Sequence, residues 1–259
     1  MKKQDCFQKL WSPNSSLFPK KMMYHLDHTK RGKNLLLTGL PDSVQRRITC
    51  DNMHLVHNMR FTDEHNFPIL SAYNPEYLDF ELFSYKDRNK HKVGKWAVHF
   101  FQNDYTFIKA ITDRLEATTS TLIDCDVLFA PDCSLYVDAP DFINMQNVFR
   151  SRFAAAYWQS LGFNVIQTAS WGNANSFRYC FEGLAEHSVT AICGIGHDYC
   201  SQAKHLWHYA VQRLIEEKSP TKLIVYGGKQ DSLSNLDIPV FYYEDHITKH
   251  FRYGSKRII

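Results

Sequence analysis

The chain has 259 residues, of which 44% are hydrophobic and 14% aromatic, a composition typical of a folded globular protein with one large domain. No apolar run approaches the ~20 residues needed to cross a bilayer, and the start of the chain lacks the apolar stretch of a secretory signal. Together with an odd number of cysteines, seven, these features argue against a membrane-spanning or secreted protein and predict a cytoplasmic one with reduced thiols.

Charge is distributed unevenly along the chain. Residues 1–60 hold 11 Lys and Arg against 4 Asp and Glu, a net charge of +7, and the remaining residues together carry −4. The segment after Asp245 adds four basic residues and no acid. Such basic ends either bind an anionic partner such as nucleic acid or are solvated arms. The residues proposed to contact nucleic acid are Lys30, Arg31, Lys33, Arg46 and Arg47.

The first 100 residues predict an irregular, basic extension over residues 1–60, followed by short strands. Residues 67–73, 80–85 and 96–101 have the apolar, aromatic character of strands. The last two flank a polar loop, which indicates a β-hairpin within the region 67–101. Asp104 then favours a helix that it would cap, with Phe107, Ile108, Ile111 and Leu115 on one face.

From about residue 121 to residue 245, apolar strands alternate with helices, before a basic tail over 246–259. This alternation predicts an α/β fold, a single domain over 61–259 with a mainly parallel sheet covered by helices, plus an N-terminal β-containing extension. An open sheet and an incomplete β/α barrel both fit the pattern. The predicted strands lie near 127–130, 163–168, 189–194, 222–228 and 238–245. The two longer helices carry apolar faces formed by Phe142, Met145, Phe149, Phe153, Ala156 and Tyr157 in one, and by Leu206, Ala210, Val211, Leu214 and Ile215 in the other.

Polar or glycine-rich loops follow four of these strands. The carboxyl ends of parallel strands share one edge, where ligands bind both in open α/β sheets and in barrels. The pattern therefore predicts a ligand site at this edge. Its candidate ligand-binding residues are Ser134, Arg150, Arg152, Thr168, Trp171, Asn173, Gly194, Gly196 and Tyr226.

Asp132 and Glu182 are the candidate catalytic residues. Asp132 follows a buried strand, where an acid can bind a metal, a base or a ribose, or simply cap a turn. Glu182 is either a general acid or base or a solvated helix residue. Arg150 and Arg152 point about 200° apart on a helix, so at most one reaches the edge. Arg152 can extend inward to a carboxylate such as Asp132 or Glu182, either as part of a ligand site or as a buried structural pair.

Trp171, beside Gly172, either stacks on a base or a sugar or caps the hydrophobic core. The sequence motifs leave the cofactor open. One group of cysteines and histidines has ligand types that suit zinc but lacks the spacing of a common zinc module, so we expect no metal site there. Its members are Cys193, His197, Cys200, His205 and His208. A dinucleotide fingerprint, a P-loop and a nucleophile elbow are all missing from the sequence.

Four segments in this order, FAPDCSLY, FRSRFAAAYWQSLGFNVIQTASW, SFRYCFEGL and LIVYGG, resemble a domain-of-unknown-function family found in bacteriophages, plasmids and their bacterial hosts. The resemblance covers about residues 121–228, and the family usually has Pro where this chain has Gln167. It implies an association with mobile genetic elements and implies no reaction.

Three functions remain open from the sequence. The leading hypothesis is a mobile-element protein that binds nucleic acid or a nucleotide-like ligand at the carboxyl edge. The alternatives are a small-molecule enzyme that uses Asp132 or Glu182 as its acid–base group and a non-catalytic inhibitor of a host factor. The expected partners are accordingly nucleic acid or a host protein, without a membrane.

Overall fold

The computed structural model describes residues 50–56, 59–90 and 94–245. The chain divides into two compact units, Met1–Asn58 and Met59–Ile259. In the first unit, the described residues form the 3-10 helix Cys50–Leu55. The five basic residues proposed to contact nucleic acid and the basic tail 246–259 lie outside the described residues.

Seven short strands form the sheet of the second unit. They pair in chain order, and every pair runs parallel, so the predicted α/β fold with a parallel sheet is confirmed. The strands are β1 (Glu81–Ser84), β2 (Trp96–His99), β3 (Val127–Phe129), β4 (Val165–Ala169), β5 (Thr190–Cys193), β6 (Leu223–Tyr226) and β7 (Val240–Tyr243). The described α-helices are α1 (Ile108–Thr112), α2 (Leu115–Ser120), α3 (Asp141–Ser160) and α4 (Ser201–Lys218).

The sheet curls into an incomplete barrel. Neighbouring strands lie ~4.8 Å apart, so β2 and β6 would be about 19 Å apart in a flat sheet. Instead, the rings of His99 on β2 and Tyr226 on β6 have centroids 4.5 Å apart. Phe80, which precedes β1, stacks on Tyr243 of β7 with centroids 6.0 Å apart. Side chains therefore fill the inside of the curl and connect its two edge strands.

The segment before β1 lies across the amino ends of the strands. The backbone N–H of Tyr73 donates to Ser188 Oγ at 3.0 Å, and Lys222 Nζ donates to the carbonyl of Glu76 at 2.7 Å. Ser188 and Lys222 come just before β5 and β6. This segment covers the amino end of the curl, opposite the edge where the predicted ligand loops lie.

The predicted hairpin is wrong, because β1 and β2 are parallel strands of the main sheet, with Glu81 opposite Trp96. Parallel pairing needs a crossover of about a dozen residues, and the polar stretch between the two strands serves as that crossover rather than as a hairpin tip. The strand predicted over residues 67–73 is also wrong, since this stretch forms an isolated bridge between Phe61 and Pro68.

The helix predicted after β2 is broken into two short helices, α1 and α2. Phe107, Ile111 and Leu115 are buried as expected. Asp104, however, caps neither helix, because its carboxylate accepts hydrogen bonds from the backbone N–H and the hydroxyl of Ser134. The cap prediction failed because a partner 30 residues away competes for the carboxylate.

Helix α3 buries a polar face, which the apolar stripe in its sequence did not predict. Phe142 was expected on the buried face but is 71% exposed. The buried residues include Asn144, Asn147, Ser151 and Arg152. Asn144, Asn147 and Arg152 bond backbone groups of neighbouring segments, so the face is chosen by hydrogen bonding as much as by apolar burial.

Among the cysteines whose side chains the structure describes, the free thiols are Cys125, Cys133, Cys180, Cys193 and Cys200. Within the same ranges, no helix combines the length and the apolar character required to span a bilayer.

Candidate ligand site at the carboxyl edge

Strand alternation gives the inside of the curl a polar upper layer. Leu82, Ala97, Ile166, Ala191 and Ile224 belong to the buried apolar cluster. Side chains two residues apart on a strand share a face, so the residue two positions on lies one layer closer to the carboxyl edge. These upper-layer residues are Ser84, His99, Thr168, Cys193 and Tyr226. The same rule leads from Val127 to Phe129 on β3, so the layer where the loops begin combines this ring with hydroxyl, imidazole, thiol and phenol groups.

His99 is a member of this layer that the sequence pattern did not single out. His99 is 3% exposed, and its Nδ1 accepts the backbone N–H of Phe101 at 3.1 Å. A neutral His99 consequently carries its proton on Nε2. The signal is present in the sequence, since His99 follows Ala97 by two positions and ends a strand, but the apolar character of residues 96–101 conceals it.

Asp132 lies just above this layer, in the loop after β3. Ser170, just after β4, donates its hydroxyl to Asp132 Oδ1 at 2.6 Å. The pKa of the Asp132 carboxyl is raised to about 6 overall. Burial is the largest cause, the hydrogen bond from Ser170 opposes it, and the negative charge of Asp104 adds to it. A carboxyl with this pKa exchanges a proton readily near neutral pH.

Ser134 and Arg150, two candidate ligand-binding residues, contact Asn147. Ser134 already donates its hydroxyl to Asp104, and its carbonyl accepts Asn147 Nδ2 at 2.8 Å. Arg150 donates to Asn147 Oδ1 at 3.1 Å, while its buried Nε has no hydrogen-bond partner among the described residues. Ser134 is thus engaged in holding the loop, and Arg150 keeps donor capacity.

Arg152 is buried and tied to the backbone. It donates to the carbonyl groups of Thr168, Cys180 and Glu182 at 3.1, 2.8 and 3.1 Å. Its burial lowers the pKa of the guanidinium to about 10. The expected pairing with a carboxylate is wrong, because backbone carbonyls take its hydrogen bonds.

The loop after β4 satisfies most of its own polar groups. Asn173 Oδ1 accepts the backbone N–H groups of Asn175 and Ser176 at 3.0 and 3.3 Å, and Asn173 Nδ2 donates to Val137 at 2.9 Å. Thr168 Oγ1 donates to the carbonyl of Ala130 at 2.8 Å. Asn173 and Thr168 therefore shape the edge.

Trp171 is the large side chain of this loop and is partly exposed. It makes edge contacts with Phe181 and Trp207, each with ring centroids 6.4 Å apart. Trp207 is buried and stacks on His197 at 4.4 Å. Trp171 thus rests on the aromatic core and still offers surface to a ligand next to Ser170.

The two glycines after β5 have different roles. A Cβ at Gly194 would lie 2.9 Å from Val225 Cγ1, so close packing against β6 requires glycine there. Gly196 has φ of +80°, a conformation that glycine adopts without strain. Gly194 also donates its N–H to the carbonyl of Tyr226 at 2.7 Å, which holds the β5 and β6 loops together.

The structure does not join Glu182 to Asp132. Glu182 accepts hydrogen bonds from the hydroxyl of Thr62 and from the backbone and ring of His65. Burial raises the pKa of its carboxyl, but these hydrogen bonds outweigh burial and lower it overall. The two candidate acids therefore belong to separate clusters.

The buried polar face of α3 predicts a large stability difference between its two arginines. Arg152→Met should lower the free energy of unfolding by about 3–5 kcal/mol, because it strands three buried carbonyl groups. Arg150→Met is the matched control on the same helix and should cost about 1 kcal/mol or less, since within the described residues Arg150 donates one hydrogen bond, to Asn147. Urea unfolding measures both, and equal losses would contradict the assignment.

Similarity to known proteins extends from residue 61 onward. The family model described as Domain of unknown function (DUF4417) matches residues 61–244. The "Gene 1 protein" of Mycobacterium phage L5 is 34% identical over 149 residues, 55% of this chain and 62% of the relative. That of Mycobacterium phage D29 is 33% identical over 183 residues, 66% of this chain and 65% of the relative. The chain thus spans less than two thirds of the length of these relatives.

No solved structure matches the chain. The family match covers more than half of the chain and contains every strand of the curled sheet. Together with the bacteriophage relatives, it confirms the resemblance to a phage-associated domain family. This chain belongs to the DUF4417 family of domains of unknown function.

Proposed function

We propose that the curled sheet binds a polar organic ligand at its carboxyl edge and that Asp132 transfers a proton to or from that ligand. The observation that carries this proposal is the state of Asp132. It is half-buried beside Ser170, and burial together with the nearby charge of Asp104 raises its pKa to about 6. An acid held at this pKa at the ligand-binding edge of a β/α fold suits general acid–base catalysis.

The charge of the edge supports a neutral or cationic ligand. Residues 61–245 hold 15 basic and 23 acidic residues, a net charge of −8. Besides burial, which is the largest cause of both shifts, Asp104 raises the pKa of Asp132, and Asp132 and Asp245 raise that of Cys193 in the upper layer. A phosphate next to these carboxylates would be repelled. A ligand with hydroxyl or amine groups fits better.

The exposed aromatic surface of Trp171 favours a ligand that contains a ring. The partly exposed indole of Trp171 lies beside Ser170, whose hydroxyl bonds Asp132. Aromatic faces stack on sugars and bases, and such stacking contributes about 1–3 kcal/mol per base. A nucleoside or a sugar would combine this ring with the hydroxyl groups that the carboxylates favour.

A thermal-shift screen tests this proposal, with panels of nucleosides, monosaccharides and amines at pH 6 and pH 8. Hits should bind Asp132→Asn at least about tenfold more weakly, since the hydrogen bond or proton transfer to the carboxyl is lost. Asp138→Asn, at an exposed acid of the same loop, is the matched control and should leave binding unchanged.

For any hit that is converted, the pH–rate profile of the wild type should bend near pH 6, and the bend should vanish in Asp132→Asn. Ligands that bind Asp132→Asn and the wild type equally would place the site elsewhere and refute the role of Asp132.

Nucleic-acid binding by the terminal segments is the second candidate, and the charge division favours it. Residues 1–60 carry +7 and residues 246–259 add four basic residues, whereas residues 61–245 carry −8. In this second candidate function, the basic ends, rather than the acidic edge of the sheet, would neutralise the phosphates of the nucleic acid. Both candidates are compatible with one protein, because they use different parts of the chain.

Salt-dependent retention on duplex DNA tests the second candidate. Replacing Lys30, Arg31, Lys33, Arg46 and Arg47 by Gln should flatten the slope of log affinity against log salt by about 0.9 per lost phosphate contact. Replacing Lys86, Lys90, Lys109, Lys204 and Lys218 of the second unit by Gln is the charge-matched control. Absence of retention by the wild type at low salt would eliminate this candidate.

A further inference from the structure

A second group of ionisable side chains brings together residues far apart in the sequence. Glu64, His65 and Glu182 each offer one possible ligand atom, and these atoms all lie within 4.8 Å of one another. The side chains of His65 and Glu182 are 20% and 14% exposed, so solvent ions can reach them. Glu64 is exposed. The distinguishing feature is an imidazole nitrogen among carboxylates, which a merely acidic surface patch lacks.

The backbone holds this group in place. Around it, Ile69 donates its N–H to the carbonyl of Arg60 at 2.8 Å, and Leu70 donates to the carbonyl of Gly183 at 2.8 Å. Gly183 has φ of +77°, and a Cβ there would lie 2.5 Å from the carbonyl oxygen of Pro68. The segment 60–70 is therefore closed on itself and pressed against the β4–β5 connection that carries Glu182.

The side chains are oriented as well. His65 Nδ1 lies 2.5 Å from Glu182 Oε2, and Glu182 Oε1 accepts the backbone N–H of His65 at 3.1 Å and the hydroxyl of Thr62. His65 Nε2 makes no hydrogen bond within the described ranges. The Glu182 carboxylate, with both oxygens held, and the His65 imidazole therefore form a rigid pair. Glu64 adds a third possible metal ligand.

We propose that Glu64, His65 and Glu182 form a binding site for a divalent transition-metal ion of the zinc type. The ion takes the place of the proton between His65 Nδ1 and Glu182 Oε2, and that proton moves to Nε2 of the same ring. Metal–ligand distances of about 2.0–2.1 Å place the two ligand atoms ~3 Å apart, so the present contact widens by less than about 1 Å.

The donor set selects the class of metal. One imidazole nitrogen with carboxylate oxygens suits Zn²⁺ and Co²⁺, whereas Mg²⁺ and Ca²⁺ prefer oxygen ligands throughout. Three protein ligands leave a fourth position for water. The ion would fasten segment 60–70 to the β4–β5 connection and would stabilise the folded state by mass action. This site is separate from Asp132 and does not depend on the proposed function.

Titration of the full chain with Co²⁺ tests the proposal, because tetrahedral Co²⁺ absorbs visible light with an intensity that reports its coordination. The wild type should show saturable absorption at one Co²⁺ per chain, which Zn²⁺ displaces and Mg²⁺ does not. Glu64→Gln and His65→Gln should weaken Co²⁺ binding by at least about tenfold. Glu186→Gln, at an exposed acid of the same connection, should bind as the wild type does.

Glu64→Gln keeps the test decisive even if His65→Gln disturbs the fold, since Glu64 is exposed. Far-UV circular dichroism confirms that each variant is folded. Three results would overturn the proposal: no saturable absorption in the wild type, unchanged affinity in Glu64→Gln, or a thiolate charge-transfer band that persists in His65→Gln and so places the ion at cysteines.

Discussion

The buried guanidinium of Arg152 connects three parts of the chain that form the carboxyl edge. It leaves the middle of α3 and bonds the carbonyl of Thr168 in β4 and those of Cys180 and Glu182 in the following connection. Its burial would be costly without these three acceptors. The hydrogen bonds therefore fix how α3, β4 and the connection are placed. This arrangement also fixes the position of Glu182 and that of Ser170, which follows Thr168 by two residues.

Polar contacts continue along the same face of α3 and hold the loop that carries Asp132. Asn144 exchanges two hydrogen bonds of 2.8 Å with the backbone of Tyr136, and Asn147 bonds the carbonyl of Ser134. With the loop ends fixed, Asp132 lies between Ser170 and the top of an apolar core, where water cannot fully hydrate it. The raised pKa of Asp132 is thus a consequence of the scaffold rather than of an isolated side chain.

The alternation of apolar strands with helices predicted the parallel sheet, most of its strands and the edge that carries the loops. These features can be predicted because each strand and helix is encoded by a short stretch of neighbouring residues. Three features could not be predicted in this way. The buried face of α3 depends on partners in distant loops, the parallel pairing of β1 and β2 depends on the curl of the whole sheet, and the contact of His65 with Glu182 spans 117 residues. His99 was within reach of the alternation rule and was missed. The association with plasmids stays a prediction.

The central claim, that the scaffold restricts the hydration of the half-buried Asp132 carboxyl, is tested most directly by NMR titration of the side-chain carboxyl carbons in protein labelled with ¹³C at aspartate. Comparison with Asp132→Asn assigns the Asp132 signal. The structure predicts that this carboxyl titrates with a pKa of about 6. A midpoint near the ordinary aspartate value of about 4 would show that water hydrates the carboxyl fully and would contradict the claim that the scaffold restricts its hydration.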